Sequence, residues 1–251
     1  MISLPTKPII VSDEGNSAIF EITQLYPGYG VTLGNVLRRI LLSSLPGAAV
    51  TEVKIRNVEH EFTTVPGVKE NIVDILLNVK KLRFRVQGDE PQTVKIQAKG
   101  EGAVAGKDID APSQITVISK DQHIATLTDK KAEFYMELVV ENGIGYLPVE
   151  MRKKEKLSVG TIAIDSIFTP VRNVNFSVEN MRVGERTDFN RLRLEIHTDG
   201  TISPQDALTE AATILTEQAA TIAGLQLPSK EDIAGTLKEA PEKEKKAKKK
   251  K

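Results

Sequence analysis

Apolar residues along this chain repeat with two periods, and the shorter one dominates. Alternation at every second position, the spacing of a strand with one buried face, runs through Ala18–Leu25, Val50–Val58, Val94–Ala98, Phe134–Val140, Thr161–Asp165, Val174–Val178 and Leu192–Ile196. Helical spacing is confined to three places. Leu33, Val36, Leu37, Ile40 and Leu41 fall at i, i+3, i+4, i+7 and i+8, which predicts a helix with Thr32 as N-cap and Pro46-Gly47 as its end. Ile72, Ile75, Leu76, Val79 and Leu82 form a second stripe. The third runs from Pro204 to Leu225, with Ser203 as N-cap, Pro204 at the first helical position, Asp206 close to a capping-box placement, and Gly224 and Pro228 to stop it. Many strands with few helices, not in βαβ alternation, predict an α+β fold.

Two of these helices carry more than a core face. Opposite the apolar stripe of the first lie Asn35, Arg38, Arg39 and Leu42, so a leucine flanked by arginines stands where water is expected. That is either interface chemistry or a solvated helix with one stray apolar residue. In the third helix Leu208, Leu215 and Ile222 repeat at seven, with Ala211, Ala212, Ala219, Ala220 and Ala223 between them. Small residues let another helix come close, so this helix suits packing on its own sheet and packing on a copy of itself. The stretch Gly100–Ser113, rich in Gly and small residues, reads as an exposed loop.

The chain has 251 residues, 40% of them apolar, enough for a sizeable core in one or two domains. No run approaches a membrane span, the amino terminus lacks an export signal, and there is no cysteine for a disulfide or a thiolate metal site, so a cytoplasmic protein without membrane partners is expected. Net charge is zero, but the last eleven residues hold seven lysines against two glutamates, which makes that stretch +5 and residues 1–240 −5. A slightly acidic body is no nucleic-acid footprint; any DNA contact is expected to be weak, without sequence preference, and made by a disordered lysine-rich tail over residues 229–251.

Catalytic groupings are not evident. His60, His123 and His197 lie far apart without metal-ligand spacing, there is no Walker A run and no G-x-S-x-G elbow, and Asp108 and Asp110 read as solvated turn residues rather than a magnesium site. Gly28, Gly30 and Gly34 give G-x-G-x-x-x-G before a helix, which misses the dinucleotide fingerprint by one residue and follows Tyr26-Pro27 rather than a strand. They read as turn positions with φ > 0 and as room for close packing; the alternative they leave open is a nucleotide-binding enzyme.

The run from Gly28 to Gly47, GYGVTLGNVLRRILLSSLPG, closely resembles the signature of the amino-terminal domain of bacterial DNA-dependent RNA polymerase alpha subunits. The resemblance continues in order through VTEVKI (Val50 to Ile55), GVKENIVDILLNVKKL (Gly67 to Leu82), RVQG from Arg85, HIATL from His123, GYLPV from Gly145, the stretch from Phe168 to Ile196, and that from Asp199 to Gln218, and so covers nearly all of the chain to about Leu227. It implies a discontinuous dimerisation domain over residues 1–47 and 171–228, with two amphipathic helices on an antiparallel sheet, and an inserted strand-rich α+β domain over residues 48–170. It implies a homodimer that serves as assembly scaffold for the beta and beta-prime subunits of a nucleotidyltransferase, with the catalytic magnesium in beta prime and neither catalytic residues nor a cofactor in this chain. By identity of residue type, beta contacts fall on Arg39, Leu42 and Lys80, and beta-prime contacts on Val171, Arg186 and Arg191. Arg191 stands where the family usually has lysine, which keeps charge but changes hydrogen-bond geometry. Tyr29 matches an aromatic position of the dimer interface, to which Leu208, Leu215 and Ile222 also belong on this reading. Such subunits normally continue into a second, DNA-binding helical domain. This sequence stops after its lysines, so that function is expected to be absent or replaced.

Overall fold

A computed structural model describes residues 3–88, 90–151 and 160–224. The expected tail at 229–251, and Pro228 as a helix stop, lie outside the described residues. From the start, β1 (Ile9–Asp13) and β2 (Ser17–Leu25) lead to α1 (Tyr29–Ser43) and β3 (Pro46–Ile55). Then come α2 (Ile72–Val79), β4 (Phe84–Val86), β5 (Gln92–Lys99), β6 (Gly102–Ala105), β7 (Ile109–Asp110), β8 (Ile115–Val117), β9 (His123–Leu127) and β10 (Glu133–Ile144). The short β11 (Tyr146–Leu147), β12 (Thr161–Ala163) and β13 (Ser166–Ile167) precede the long hairpin of β14 (Val171–Val183) and β15 (Arg186–Thr198), and α3 (Pro204–Ile222) follows. The mixed, strand-rich α+β class expected from the periodicities holds.

The strands form two principal sheets, antiparallel throughout. One has the order β1-β2-β15-β14 and so joins strands from both ends of the described chain. The other is seven-stranded, in the order β7-β5-β10-β3-β4-β8 with β12 also on β3. Its core is drawn entirely from residues 48–164, with Phe84, Val94, Ile96, Ile124, Phe134, Met136 and Leu138 fully buried beside Ile72, Ile75 and Val79 of α2. Asn71 caps α2 by accepting the Asp74 amide at 2.7 Å. Ile22, Leu25 and Leu192 of the four-stranded sheet form a separate cluster, against which Leu33, Phe176 and Val178 pack.

Three local expectations change. Gly100–Ser113 is no loose excursion: it contains β6 and β7, Val104 is part of the core, and a Cβ on Gly106 would collide with the Ser119 carbonyl. Pro46-Gly47 does not merely end the first helix; it opens β3, where Gly47 lies so close to the Phe168 carbonyl that no side chain fits. The third correction concerns the start of α1, below.

The chain divides into two units at Ala211–Ala212, a boundary that falls within α3. The helix begins as its sequence predicts: the Ser203 hydroxyl accepts the Asp206 amide at 3.1 Å and donates to its carboxylate at 2.7 Å. Gly224, at φ +68°, follows its end.

Candidate functional site

The amino end of α1 is capped from a distant part of the chain. Gly28, at φ +85°, takes the N-cap position, and its own residue type offers no side-chain acceptor. The amides of Gly28 and Gly30 instead donate to Asn190 Oδ1 of β15, at 2.9 and 3.3 Å, and Asn190 Nδ2 donates to Asn180 Oδ1 at 3.3 Å. Thr32 is not the cap; it sits in the first turn, and its hydroxyl donates back to the Gly28 carbonyl. A Cβ on Gly30 would lie 2.7 Å from Val178, and one on Gly34 2.6 Å from the Phe176 ring. Of the three glycines only Gly28 has a positive φ; the other two bring the helix onto β14 and β15. Amides already bonded to Asn190 and glycines packed against side chains leave no cradle for a phosphate, and the nucleotide-binding alternative finds no support.

The buried face of α1 is therefore Gly30, Gly34, Leu37 and Leu41, with Leu33, Val36 and Ile40 half-buried at its edges. Opposite them Asn35, Arg38 and Arg39 are exposed, and neither arginine has an ion-pair partner among the described residues. Leu42 is half-buried rather than free in water, and the Thr169 hydroxyl, just before β14, donates to its carbonyl. Lys80 follows α2, and its ammonium lies 3.1 Å from Asp165 Oδ2. Asp165 also accepts the Val149 amide at 3.1 Å and bonds the Tyr146 hydroxyl; the Val149 bond first, then Lys80, hold its carboxyl below the usual range.

Around the β14–β15 hairpin, Val171 is buried and opens β14. Arg186 is exposed, bonds Asp188 through two nitrogens at 3.0 and 2.7 Å, and stands over the rings of Tyr26 and Phe189 at 5.7 and 5.3 Å. Tyr29, also exposed, meets Tyr26 edge to face. Arg191 lies between Glu179 and Glu21, at 3.6 and 3.9 Å. On α3, Leu208 is buried, Leu215 half-buried and Ile222 exposed. The residues singled out by sequence thus occupy four places: the open face of α1, Lys80 after α2, the hairpin, and α3.

The histidines remain apart. His123 Nε2 lies 3.0 Å from Glu70 Oε1, and Glu70 also accepts the Thr126 amide and hydroxyl, at 2.7 and 2.9 Å. Burial alone would raise the Glu70 carboxyl, but these hydrogen bonds outweigh it and hold the group below its ordinary value. His197 meets Glu195 at 2.9 Å, and His60 stands beside Phe62. Asp108 accepts the Ala105 amide, and Asp110 stands opposite Lys95 in the register of β7 and β5. Among the described residues no group of three or more His, Cys, Asp or Glu could hold a metal ion, and no helix is long and apolar enough to cross a membrane.

With this geometry in view, comparison with known proteins is specific. A family profile of the RNA polymerase Rpb3/RpoA insert domain matches residues 53–169. A DNA-directed RNA polymerase subunit alpha from Clostridium perfringens is 51% identical over 215 residues, 84% of this chain and 68% of the relative. The chain belongs to the DNA-directed RNA polymerase alpha-subunit family. Further members with the same name come from Roseiflexus sp. strain RS-1, 47% identical over 88% of this chain and 68% of its own length, and from Carboxydothermus hydrogenoformans, 46% identical over 94% and 78%. The insert-domain match begins within β3 and ends just before β14, so it covers the strands that follow β3 in the seven-stranded sheet and α2.

Sequence reasoning missed Asn190, Asp165 and the pair Arg83–Asp199, in which Arg83 Nε lies 2.9 Å from Asp199 Oδ2. For Asn190 the sign is in the structure and not in the sequence. Asn190 is buried next to buried Phe189, which breaks the alternation of β15 and marks a polar side chain with a task inside.

Proposed function

We propose that this chain is the assembly scaffold of a DNA-directed RNA polymerase: two copies dimerise, and the dimer carries the large subunits beta and beta prime, which perform phosphoryl transfer with magnesium held by beta prime. On this reading residues 1–47 and 171–228 form a discontinuous dimerisation domain and residues 48–170 an inserted one. The four-stranded sheet, built from both ends of the described chain, and the core confined to residues 48–164 support that division. Arg39, Leu42 and Lys80 meet beta. Arg186 and Arg191, with the segment at Val171, meet beta prime; Val171 itself is buried, so its role there is to set the start of β14. Tyr29 and the Leu208, Leu215 and Ile222 series serve the dimer. The lysine-rich tail adds at most weak, non-specific contact with DNA.

The observation that carries this reading is the division of α1. One face is packed so tightly that only glycine fits, while the other shows two arginines without ion-pair partners among the described residues, beside a half-buried leucine. Fixed backbone under an open charged and apolar face is how a binding surface is held rigid. Co-expression with beta and beta prime, followed by size analysis and a transcription assay, tests it. Arg39→Ala and Leu42→Ala leave the folded dimer intact and each weaken capture of beta by about 2 kcal/mol. Leu215→Glu places an unpaired charge in the helix contact and breaks the dimer. Loss of the folded dimer in the α1 variants, or an unmodified chain that sediments as a monomer at micromolar concentration, overturns the reading.

A further inference from the structure

We infer that the short ribbon of β11 and β13 is the centre of the beta-docking surface, and that it takes a partner segment that is apolar along the ribbon and carries a carboxylate at the end facing Arg38 and Arg39. This rests on the reading of Arg39, Leu42 and Lys80 as beta contacts, and explains how residues on two different helices serve one surface.

Tyr146 and Ile167 oppose each other directly in the ribbon, so their side chains share a face, and they are 57% and 43% exposed. Ile144 and Met151, on the adjoining chain, are 61% and 74% exposed. One exposed isoleucine needs no explanation, but four large apolar side chains gathered around one ribbon mark a binding surface. The ribbon is fastened on both sides. Toward α1, Gly145, at φ +70°, runs under the Ser43 carbonyl, and Thr169 bonds the Leu42 carbonyl. Toward α2, Asp165 joins the Tyr146 hydroxyl, the Val149 amide and the Lys80 ammonium. Asp165 is a positioning residue: it holds Lys80 beside the ribbon and neutralises its charge. Among the described residues Arg38 and Arg39 have no ion-pair partner, while Glu150 acts electrostatically on the Tyr146 hydroxyl. Arg38 and Leu42 are i, i+4 neighbours, so the arginine end adjoins half-buried Leu42, whose carbonyl accepts from Thr169 just after the ribbon. An apolar stripe with guanidinium groups at one end that no described acid pairs is complementary to an apolar segment ending in an acid.

The test titrates the intact dimer with purified beta subunit. Ile167→Glu should weaken binding about 30-fold or more while dimer mass and urea midpoint stay unchanged, since loss of a central anchor has that size. Arg39→Ala is measured beside it. If Arg39→Ala weakens binding and Ile167→Glu does not, the ribbon proposal is overturned and the parent reading stands. If only Ile167→Glu weakens it, the apolar ribbon stands, but the acid facing Arg38 and Arg39 is overturned together with the α1 face; if neither does, both fall. Should Ile167→Glu lower the urea midpoint, amide exchange of the unmodified dimer decides. Slower exchange at 144–147 and 166–167 on adding beta supports the proposal, and unchanged exchange there overturns it.

Discussion

The two principal sheets treat their own surfaces differently. The seven-stranded sheet closes its core with its own residues: Phe84, Phe134 and Met136 lie fully buried with α2, and the exposed side of β10 is laced with local pairs, Lys99 with Glu133 and Lys95 with Glu137. The four-stranded sheet draws α1 down onto glycines but leaves Ile9, Ile10 and Val11 exposed on its edge strand, and α1 keeps an open outer face. Natural edge strands are commonly blunted with charge or covered. The contrast separates a region whose core is complete on its own, with Val73, Leu77 and Ile144 still exposed outside that core, from one whose helix and edge strand stay open, and it makes predictions about where substitutions harm the fold and where they harm only assembly.

The largest expected effect lies in the complete region. Phe134→Ala should cost about 3–5 kcal/mol in urea unfolding, whereas Ile9→Ala on the open edge should stay within about 0.5 kcal/mol. Comparable losses at the two positions would erase the distinction. Next is the link between the sheets. Arg83, just after α2, pairs with Asp199, just after β15, and their side chains are only 15% and 3% exposed. Removing one partner strands a buried charge, so Arg83→Ala should cost about 3 kcal/mol. The double variant Arg83→Met, Asp199→Asn should recover a large part of that, as a double-mutant cycle would measure. Failure to recover would show that Arg83 acts by packing rather than charge.

These residues also show what was legible in the sequence. The long strands were visible where burial alternates, nearly whole in β2, β5 and β10 but only at Val174–Val178 of β14 and Leu192–Ile196 of β15, whose outer halves do not alternate cleanly. The cap of α3 was visible because donor and acceptor are three residues apart. The true buried stripe of α1 was read only in part: two of its four members are glycines, which an apolar count ignores, so the stripe was drawn through Leu33, Val36 and Ile40 as equals of Leu37 and Leu41. Strand β1 was missed because its exposed residues carry no alternation, and β6 and β7 because small residues chosen for close approach resemble a loop. Asn190 capping α1, and Arg83 finding Asp199, are pairings across 100 residues or more of chain that no local pattern records. The open face of α1 with Arg39 and Leu42 was legible from helical spacing, whereas their assignment to beta, Lys80 and the hairpin positions were named from family resemblance; the structure adds Asp165 and the ribbon.

A smaller effect sharpens the comparison at α1 itself. Gly34→Ala forces the Phe176 ring to move, which costs about 1–3 kcal/mol, against about 1 kcal/mol gained from helix propensity. A net loss of about 1 kcal/mol is expected. Gly102→Ala, where a new Cβ meets nothing within 4 Å, should be nearly neutral. If the two variants unfold at the same urea concentration, α1 is not held by its glycines.

The smallest effect is a pH dependence inside the seven-stranded region. Glu70 is held below its ordinary 4.5 because the hydrogen bonds from His123 and Thr126 outweigh its burial. A carboxyl whose folded value is depressed binds fewer protons in the native state, so it stabilises fully above the unfolded value and loses that contribution as pH falls through the folded one. Other carboxylates titrate in the same range, so the informative quantity is the stability difference between the unmodified chain and Glu70→Gln, in which they cancel. That difference should be constant from about pH 7 to pH 5 and shrink as the pH falls below about 4.5. The effect is modest because the His123 side chain is partly open to water, which weakens its pairing with Glu70. A difference that stays flat down to pH 3 would mean that Glu70 holds β9 through its shape and its neutral hydrogen bonds, with no contribution from its charge.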